Sequence, residues 1–239
     1  MRLIHTGTRE LHEFYDDIPE YAILSHTWDE RELLLEDFKC VDAKDLPGFE
    51  KVDNCCKLAA NREFEYVWID TCCIDKNSSA ELQEAINSMY RWYKNAEVCF
   101  AYLSDVSSNT DLTKSTAFKS SLWFTRGWTL QELIAPRNVE FYGNDDAGKW
   151  SEIGTKSSLR STIAEITGIP IDVLKTGDVK GISIATRMSW ASRRKTKRVE
   201  DQAYSLMGIF DVHMPMVYGE GKRAFERLQE EIMKVSNDQ

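Results

Sequence analysis

Strand-like and helix-like segments alternate along the first 150 residues of this 239-residue chain, and this alternation limits the fold more than any other feature. The strand-like segments are short and rich in β-branched and aromatic residues; they cover residues 21–26, 66–70, 98–103 and 139–142. The helix-like segments carry apolar residues at helical spacing; they cover residues 49–62, 79–94 and 128–134. The alternation predicts an α/β fold, with a mainly parallel sheet flanked by helices.

After about Ser151 the apolar pattern is helical throughout. The predicted helices cover residues 157–167, 182–192, 200–210 and 221–235. No proline-rich linker separates this part from the first, so we expect its helices to pack on the sheet. The sequence therefore predicts one domain over residues 1–239, with an α/β core at 1–150 and a helical C-terminal extension at 151–239.

The chain is acidic, with a formal net charge of −9. Nucleic-acid-binding domains usually carry a basic surface, so we expect no nucleic-acid partner. One cationic run, RRKTKR at residues 193–198, departs from this composition. Such a run is typical of a nuclear import signal or of a phosphate-binding patch. The interpretation that we favour is a solvated loop between two helices.

Six cysteines occur without a CxxC pair, and most of them lie in apolar segments. Buried free thiols in a reducing compartment are the expectation for such cysteines. The N-terminus lacks the apolar segment of a signal peptide, and no stretch is long and apolar enough to span a membrane. We therefore expect a soluble, cytoplasmic protein.

Four ordered blocks carry a family resemblance. They read YAILSHTW at 21–28, VWIDTCCIDK at 67–76, RGWTLQEL at 126–133 and RVEDQAYSLMGIF at 198–210. Together they resemble the HET (heterokaryon incompatibility) domain of filamentous fungi. The resemblance implies a role in non-self recognition and in programmed cell death after unlike fungal cells fuse. It also implies fusion to a downstream sensor region, because the domain often begins a longer receptor-like protein.

The third block has a second, more distant resemblance. The segment WTLQEL at 128–133 is similar to the Trp-Cys-x-x-Glu-Leu signature of TIR domains, with Thr129 in place of the cysteine. In NAD-cleaving TIR domains the glutamate of this signature is catalytic. The resemblance therefore implies a TIR-like (flavodoxin-like) core, NAD as a substrate, activity on self-association, and Glu132 as the catalytic residue.

The proposed chemistry needs little machinery. Most glycoside hydrolases use two carboxylic groups, one of which protonates the leaving oxygen. Nicotinamide leaves as a neutral ring from a cationic nitrogen, so one carboxylate is sufficient to stabilise the oxocarbenium charge. In open α/β sheets the ligand lies at the carboxyl ends of the strands. The substrate-binding residues predicted from these strand ends and from the third block are Ser25, His26, Trp28, Asp70, Arg126 and Trp128.

Several alternatives stay open. Glu132 is also interpretable as a capping or solvated residue, His26 as a structural residue and Trp128 as a core residue. Cys72 or Cys73 with His26 is a less favoured nucleophile and base. No tetrahedral ligand spacing occurs, so we expect no metal, and no cofactor is required. The main rival is a non-catalytic module for homotypic interaction, which has no need of the Glu132 carboxylate.

Overall fold

A single mixed sheet forms the centre of the fold. The computed structural model describes residues 1–40, 42–108, 116–145 and 149–235. Within them the strands are β1 (Arg2–His5), β2 (Leu11–Glu13), β3 (Tyr21–His26), β4 (Tyr66–Trp68), β5 (Val98–Ser107), β6 (Val139–Asn144) and β7 (Trp150–Thr155). Their order across the sheet is β2-β1-β4-β3-β5-β6-β7.

The four central strands are parallel. β3 pairs with β4 on one side and with β5 on the other, and β5 pairs with β6. Counted along the chain, these strands have the order 2-1-3-4, which begins the flavodoxin-like arrangement. The predicted α/β fold with a mainly parallel sheet and a helical C-terminal part is therefore confirmed. Strands inside such a sheet form continuous apolar segments, and every residue of β3 is buried.

The two edges of the sheet are antiparallel and were not predicted. β1 pairs with β2 and β4, and β7 pairs with β6. The expectation of a purely helical pattern from Ser151 is wrong for β7. Its residues are only partly buried or exposed, so the strand has no clear apolar pattern and is defined by its pairing with β6.

Helices cover both the predicted segments and several shorter ones. Within the described residues they are α1 (Leu35–Phe38), α2 (Phe49–Asn61), α3 (Asp70–Cys73), α4 (Ser79–Asn95), α5 (Ala117–Ser120), α6 (Thr129–Ile134), α7 (Arg160–Thr167), α8 (Ile171–Thr176), α9 (Ile184–Ala191), α10 (Asp201–Tyr204), α11 (Met207–Phe210) and α12 (Arg223–Val235), with 3-10 turns at Ala43–Asp45 and Leu122–Thr125. The helix predicted over 200–210 is divided into α10 and α11. None of the described helices has the length and apolar character needed to cross a bilayer.

The later helices share a core with the sheet. Ile163, Trp190 and Leu228 belong to the same buried apolar cluster as the central strands. α11 contacts α4, and the approach at Gly208 is close, because a Cβ there would lie 2.2 Å from the Cβ of Tyr90. The later helices therefore share a core with the α/β part, while the domain division at residue 150 stays a prediction.

The strand order predicts a ligand site at the carboxyl ends of the central strands. Open α/β sheets bind ligands at the carboxyl ends of their strands, where the strand order reverses. Here that point lies between β3 and β5. The short helix α6 contacts β3 and α4, and all six of its residues are buried. This arrangement brings α6 to the carboxyl ends of the parallel strands.

Candidate active site

A cavity of about 270 Å³ lies where the carboxyl ends of β3 and β4, the helices α4 and α6, and the later segment 197–218 meet. Six of the seven residues predicted for the site line it: His26, Trp28, Asp70, Arg126, Trp128 and Glu132. Their convergence from three separate segments of the chain follows from the parallel strand order. The later segment adds further lining residues, which the sequence prediction did not include.

Ser25, the seventh predicted residue, does not line the cavity. It is fully buried, and its hydroxyl donates to Glu132 Oε2. The Trp123 indole Nε1 in turn donates to Ser25 Oγ over 2.9 Å. This chain of hydrogen bonds fixes the Glu132 carboxyl from behind, so Ser25 positions the carboxyl and has no direct access to a ligand.

The Glu132 carboxyl is buried, with only 7% of the residue exposed. No cation of the described residues lies within ion-pairing distance of it. Burial raises the pKa of Glu132 to about 8, and the negative charge of Asp70 acts in the same direction. The hydrogen bond from Ser25 and the positive charge of Arg194 oppose this shift without cancelling it. The carboxyl is therefore mainly protonated at neutral pH but close enough to its pKa to ionise on a small change of charge.

Two cationic side chains hold the ends of α6, which is too short to be stable alone. At its start, Arg194 Nη1 donates to Arg126 O and to Thr129 Oγ1, each over 2.9 Å. At its end, the buried Lys156 Nζ donates to Leu133 O over 3.1 Å and to Pro136 O. The bonds from Lys156 satisfy carbonyl groups at the C-terminal end of the helix. Those from Arg194 hold the main chain and the Thr129 hydroxyl at its start, and together the two side chains fix the position of Glu132 between them.

Asp70 organises the opposite wall of the cavity. His26 Nε2 donates to Asp70 Oδ1 and Trp28 Nε1 donates to Oδ2, both over 3.0 Å. Burial would raise the pKa of Asp70, but the charge of Lys76 and the bond from His26 outweigh it and hold the pKa well below its usual range. Lys51 Nζ donates to the other ring nitrogen of His26 over 3.2 Å. Both nitrogens of His26 are therefore occupied within the protein, which favours a structural role for this ring.

Cationic side chains at the cavity are the main feature that the sequence prediction missed. Lys76 Nζ lies 3.5 Å from the centre of the Trp28 ring, and Lys197 Nζ lies 5.7 Å from it. The Arg198 guanidinium lies 4.3 Å from the centre of the Tyr218 ring. Lys76 belongs to the second sequence block, and the other two belong to the cationic run at 193–198. These positive charges were visible in the sequence, but the run was interpreted only as a solvated loop.

The cationic run is fixed by main-chain pairing. Lys195 N donates to Thr125 O over 2.7 Å, and Gly127 N donates to Lys195 O over 2.9 Å. A Cβ on Gly127 would lie 2.5 Å from Thr196 Cγ2, so the close approach of the two segments requires glycine at this position. The segment is a loop between α9 and α10, and four of its six residues are exposed, as the interpretation as a solvated loop predicts. What that interpretation did not include is that Lys197 and Arg198 also line the cavity.

The thiol alternative has no support from the geometry. All six cysteines are free, and five of them are buried, as predicted; Cys40 is exposed. Burial raises the pKa of Cys72 to about 12, and its Sγ donates to Leu33 O over 3.2 Å. Such a thiol is neither ionised nor accessible at neutral pH. Among the described residues no group of His, Cys, Asp and Glu is arranged to hold a metal ion.

We expect one thiol of the folded protein to react within minutes with a water-soluble alkylating reagent at pH 7.5. The reactive residue should be Cys40, because the other five thiols are buried. Mass spectrometry of the labelled protein measures the number and the position of the adducts. Labelling in denaturant, where all six should react, is the control. Rapid labelling of Cys72 or Cys73 in the folded state would reopen the thiol mechanism.

Comparisons with known proteins identify the family. The family model described as "Heterokaryon incompatibility protein (HET)" matches residues 21–119, which contain β3 to β5 and Asp70 with its partners His26 and Trp28. The curated protein "Vegetative incompatibility protein HET-E-1" of Podospora anserina is 49% identical over 225 residues, a match that covers 91% of this chain. The chain carries a HET domain. The predicted family resemblance is thereby confirmed.

The HET domain accounts for a small part of this relative. The chain covers 16% of the length of the Podospora protein. No solved structure matches the chain.

Proposed function

We propose that this HET domain acts in fungal non-self recognition as a cell-death effector, and that it cleaves NAD at the nicotinamide glycosidic bond when copies of it associate. The name of the Podospora relative, a vegetative incompatibility protein, supports the biological role. In this proposal the domain acts in the cytoplasm and is fused to a sensor region, whose ligand brings copies together.

The observation that carries the enzymatic proposal is the buried carboxyl of Glu132 at the wall of a cavity. Its neighbours Ser25 and Trp123 fix the carboxyl in one orientation. A preorganised charge in a site that excludes water stabilises a developing opposite charge far better than the same group in water. The ionised Glu132 carboxylate would stabilise the oxocarbenium ion that forms as neutral nicotinamide leaves.

Because the pKa of Glu132 is raised, binding of the substrate would control whether this carboxyl is ionised. Before binding, the carboxyl is mainly protonated at neutral pH, because its pKa is about 8. The nicotinamide ring of NAD carries a positive charge, and an opposite charge nearby favours the ionised form of a carboxyl group. Binding would therefore lower this pKa and produce the carboxylate where it is needed.

The strand order supports a TIR-like mechanism on this fold. The parallel strands have the flavodoxin-like order, and Glu132 lies on the helix between β5 and β6, as the TIR signature implies. In this proposal Trp28, Arg126 and Trp128 contact the dinucleotide, while Ser25 and His26 position Glu132 and Asp70. Asp70 accepts bonds from His26 and Trp28, so it holds the wall of the site in shape.

A direct assay tests the enzymatic proposal. The purified protein is incubated with NAD either as it is or clustered through a multivalent tag, and nicotinamide release is followed by chromatography. We expect release by the clustered wild-type protein and none by clustered Glu132→Gln, because the neutral amide cannot stabilise the cationic transition state. Glu226→Gln is the matched control, since Glu226 is an exposed residue of α12 outside the cavity.

Two results would separate the proposal from its rival. No release by the clustered wild-type protein, together with unimpaired cell killing by Glu132→Gln, would overturn catalysis and leave a homotypic interaction module. Release that is equal in wild type and Glu132→Gln would show that another residue carries the chemistry. The folding of each variant is checked by circular dichroism before the comparison.

A further inference from the structure

Four cationic side chains line one cavity of this acidic protein: Lys76, Arg126, Lys197 and Arg198. The chain as a whole has a formal net charge of −9, so this local excess of positive charge is not a reflection of its composition. Arg126 and Lys197 form no ion pair with any described residue. Clefts lined by one sign of charge concentrate ligands of the opposite sign.

The carboxyl groups of the cavity neutralise only part of this positive charge, since Asp70 forms an ion pair with Lys76. Asp70 accepts hydrogen bonds from His26 and Trp28. Asp201 accepts a hydrogen bond from the Tyr218 hydroxyl over 3.0 Å. Glu132 is mainly protonated at neutral pH. The cavity therefore offers more positive than negative charge to a ligand.

Lys76 supplies an independent indication of an anionic ligand. Its Nζ is buried and forms an ion pair with Asp70 Oδ2 over 3.6 Å and a cation–π contact with Trp28, but it has no hydrogen-bond acceptor within the described part of the chain. An ammonium group that is buried without an acceptor is unfavourable and needs an explanation. A phosphate oxygen would supply the missing acceptor.

Part of the cavity lining is apolar. Ile74, Leu82, Ile86 and Met89 line it, and three of these four belong to α4. A ligand that fits the whole lining carries a charged part and an apolar part. Simple inorganic anions have only the first, whereas nucleotides have both.

We propose that the cationic run at 193–198 is the phosphate-binding element of this cavity and that its ligand contains a nucleoside diphosphate. Lys197 and Arg198 bind the phosphate oxygens from the helical extension, and Lys76 and Arg126 bind them from the α/β part. The inference rests on the proposed function in taking NAD as the natural dinucleotide. It gives the helical extension a specific task, since half of the phosphate ligands come from it.

Binding of ADP-ribose to the full chain tests this inference without any catalysis, because ADP-ribose has no nicotinamide to lose. Isothermal titration compares ADP-ribose, inorganic diphosphate and adenosine. We expect adenosine to bind at least about tenfold more weakly than ADP-ribose, since hydrogen bonds to charged groups contribute on this scale. Inorganic diphosphate should compete with ADP-ribose, and raising the salt concentration should weaken both.

The same run provides matched controls. Lys197→Gln and Arg198→Gln should each raise the Kd for ADP-ribose about tenfold. Arg193→Gln and Lys195→Gln remove exposed charges of the same run that do not line the cavity, and they should leave the Kd within about twofold. Because Arg198 also packs on Tyr218, Lys197→Gln is the variant whose folding is least at risk.

Three results would overturn the inference: no binding of ADP-ribose to the wild type, equal binding of adenosine, or equal effects of the cavity and control variants. Its failure is distinguishable from that of the proposed function. If NAD is not cleaved but ADP-ribose binds with this dependence, the inference stands alone. If NAD is cleaved and Lys197→Gln leaves KM unchanged, only the inference fails.

Discussion

Glu132→Gln is expected to raise the free energy of unfolding by about 3 kcal/mol at pH 7, since each unit of pKa shift corresponds to about 1.4 kcal/mol. Burial raises the pKa of Glu132 from 4.5 to about 8 in the folded protein. Between these two values the folded state holds a proton that the unfolded state has lost, so wild-type stability falls as the pH rises from 4.5 to 8. Glutamine does not ionise, so the variant escapes this loss.

The pH dependence of the difference is the decisive measurement. Urea unfolding of both proteins at several pH values should give curves that meet below pH 4.5 and diverge up to pH 8. The difference is used because burial also lowers the pKa of Lys156 to about 8 and that of Arg194 to about 10. Lys156 acts on wild type and variant alike, whereas Arg194 interacts with the Glu132 charge but has its pKa above the pH range of the comparison. A difference that does not change with pH would mean that Glu132 is not buried as described.

The rate of NAD cleavage by the clustered protein is expected to rise about 50-fold between pH 6 and pH 8, as the ionised fraction of a single essential group with a pKa near 8 does. The sign follows from the mechanism: the carboxylate is the active form, and its fraction grows as the pH rises through the pKa of about 8. This profile is that of kcat/KM, which reports the free enzyme. The profile of kcat should have its midpoint at lower pH, because the bound pyridinium cation favours the carboxylate.

Ser25→Ala provides a control for this assignment. Removing the hydroxyl that donates to Glu132 takes away a bond that lowers its pKa, so the midpoint of kcat/KM should move to higher pH. Blanks without protein correct for alkaline decay of NAD. A rate that is independent of pH between 6 and 8, or that falls, would exclude Glu132 in the role proposed for it.

The central part of the fold was predictable because its signals are local. β3 and β5 are buried and apolar, and α2 and α4 end within one residue of the predicted bounds. The edge strands β2 and β7 were not predictable, since their residues are half-exposed or exposed and the strands are defined by pairing with their neighbours. The strand β1, which has only four residues, two of them buried, was not predicted either. The local pattern specifies a buried strand far better than an edge strand.

The site was predictable where strand topology or the third sequence block determines it. Ser25, His26 and Asp70 follow from the rule that parallel strands end at one edge. That rule does not distinguish a side chain facing the cavity from one behind it, so Ser25 was assigned to the ligand. The contribution of Lys197 and Arg198 depends on main-chain pairing between residues nearly 70 positions apart, such as Lys195 with Arg126. The local spacing of apolar residues gives no indication of a contact between segments so far apart in the sequence.

The pairing of Arg126 with Lys195 also bears on how HET domains diversify. It joins the segment that carries Glu132 to the segment that carries Lys197 and Arg198, and each supplies one wall of the cavity. Neither half of the chain contains a whole pocket. A chimaera joining residues 1–150 of one family member to the later segment of another would thus exchange half of the proposed binding site. Its ligand preference would follow the combination, so recombination inside the domain would create specificities that neither parent has.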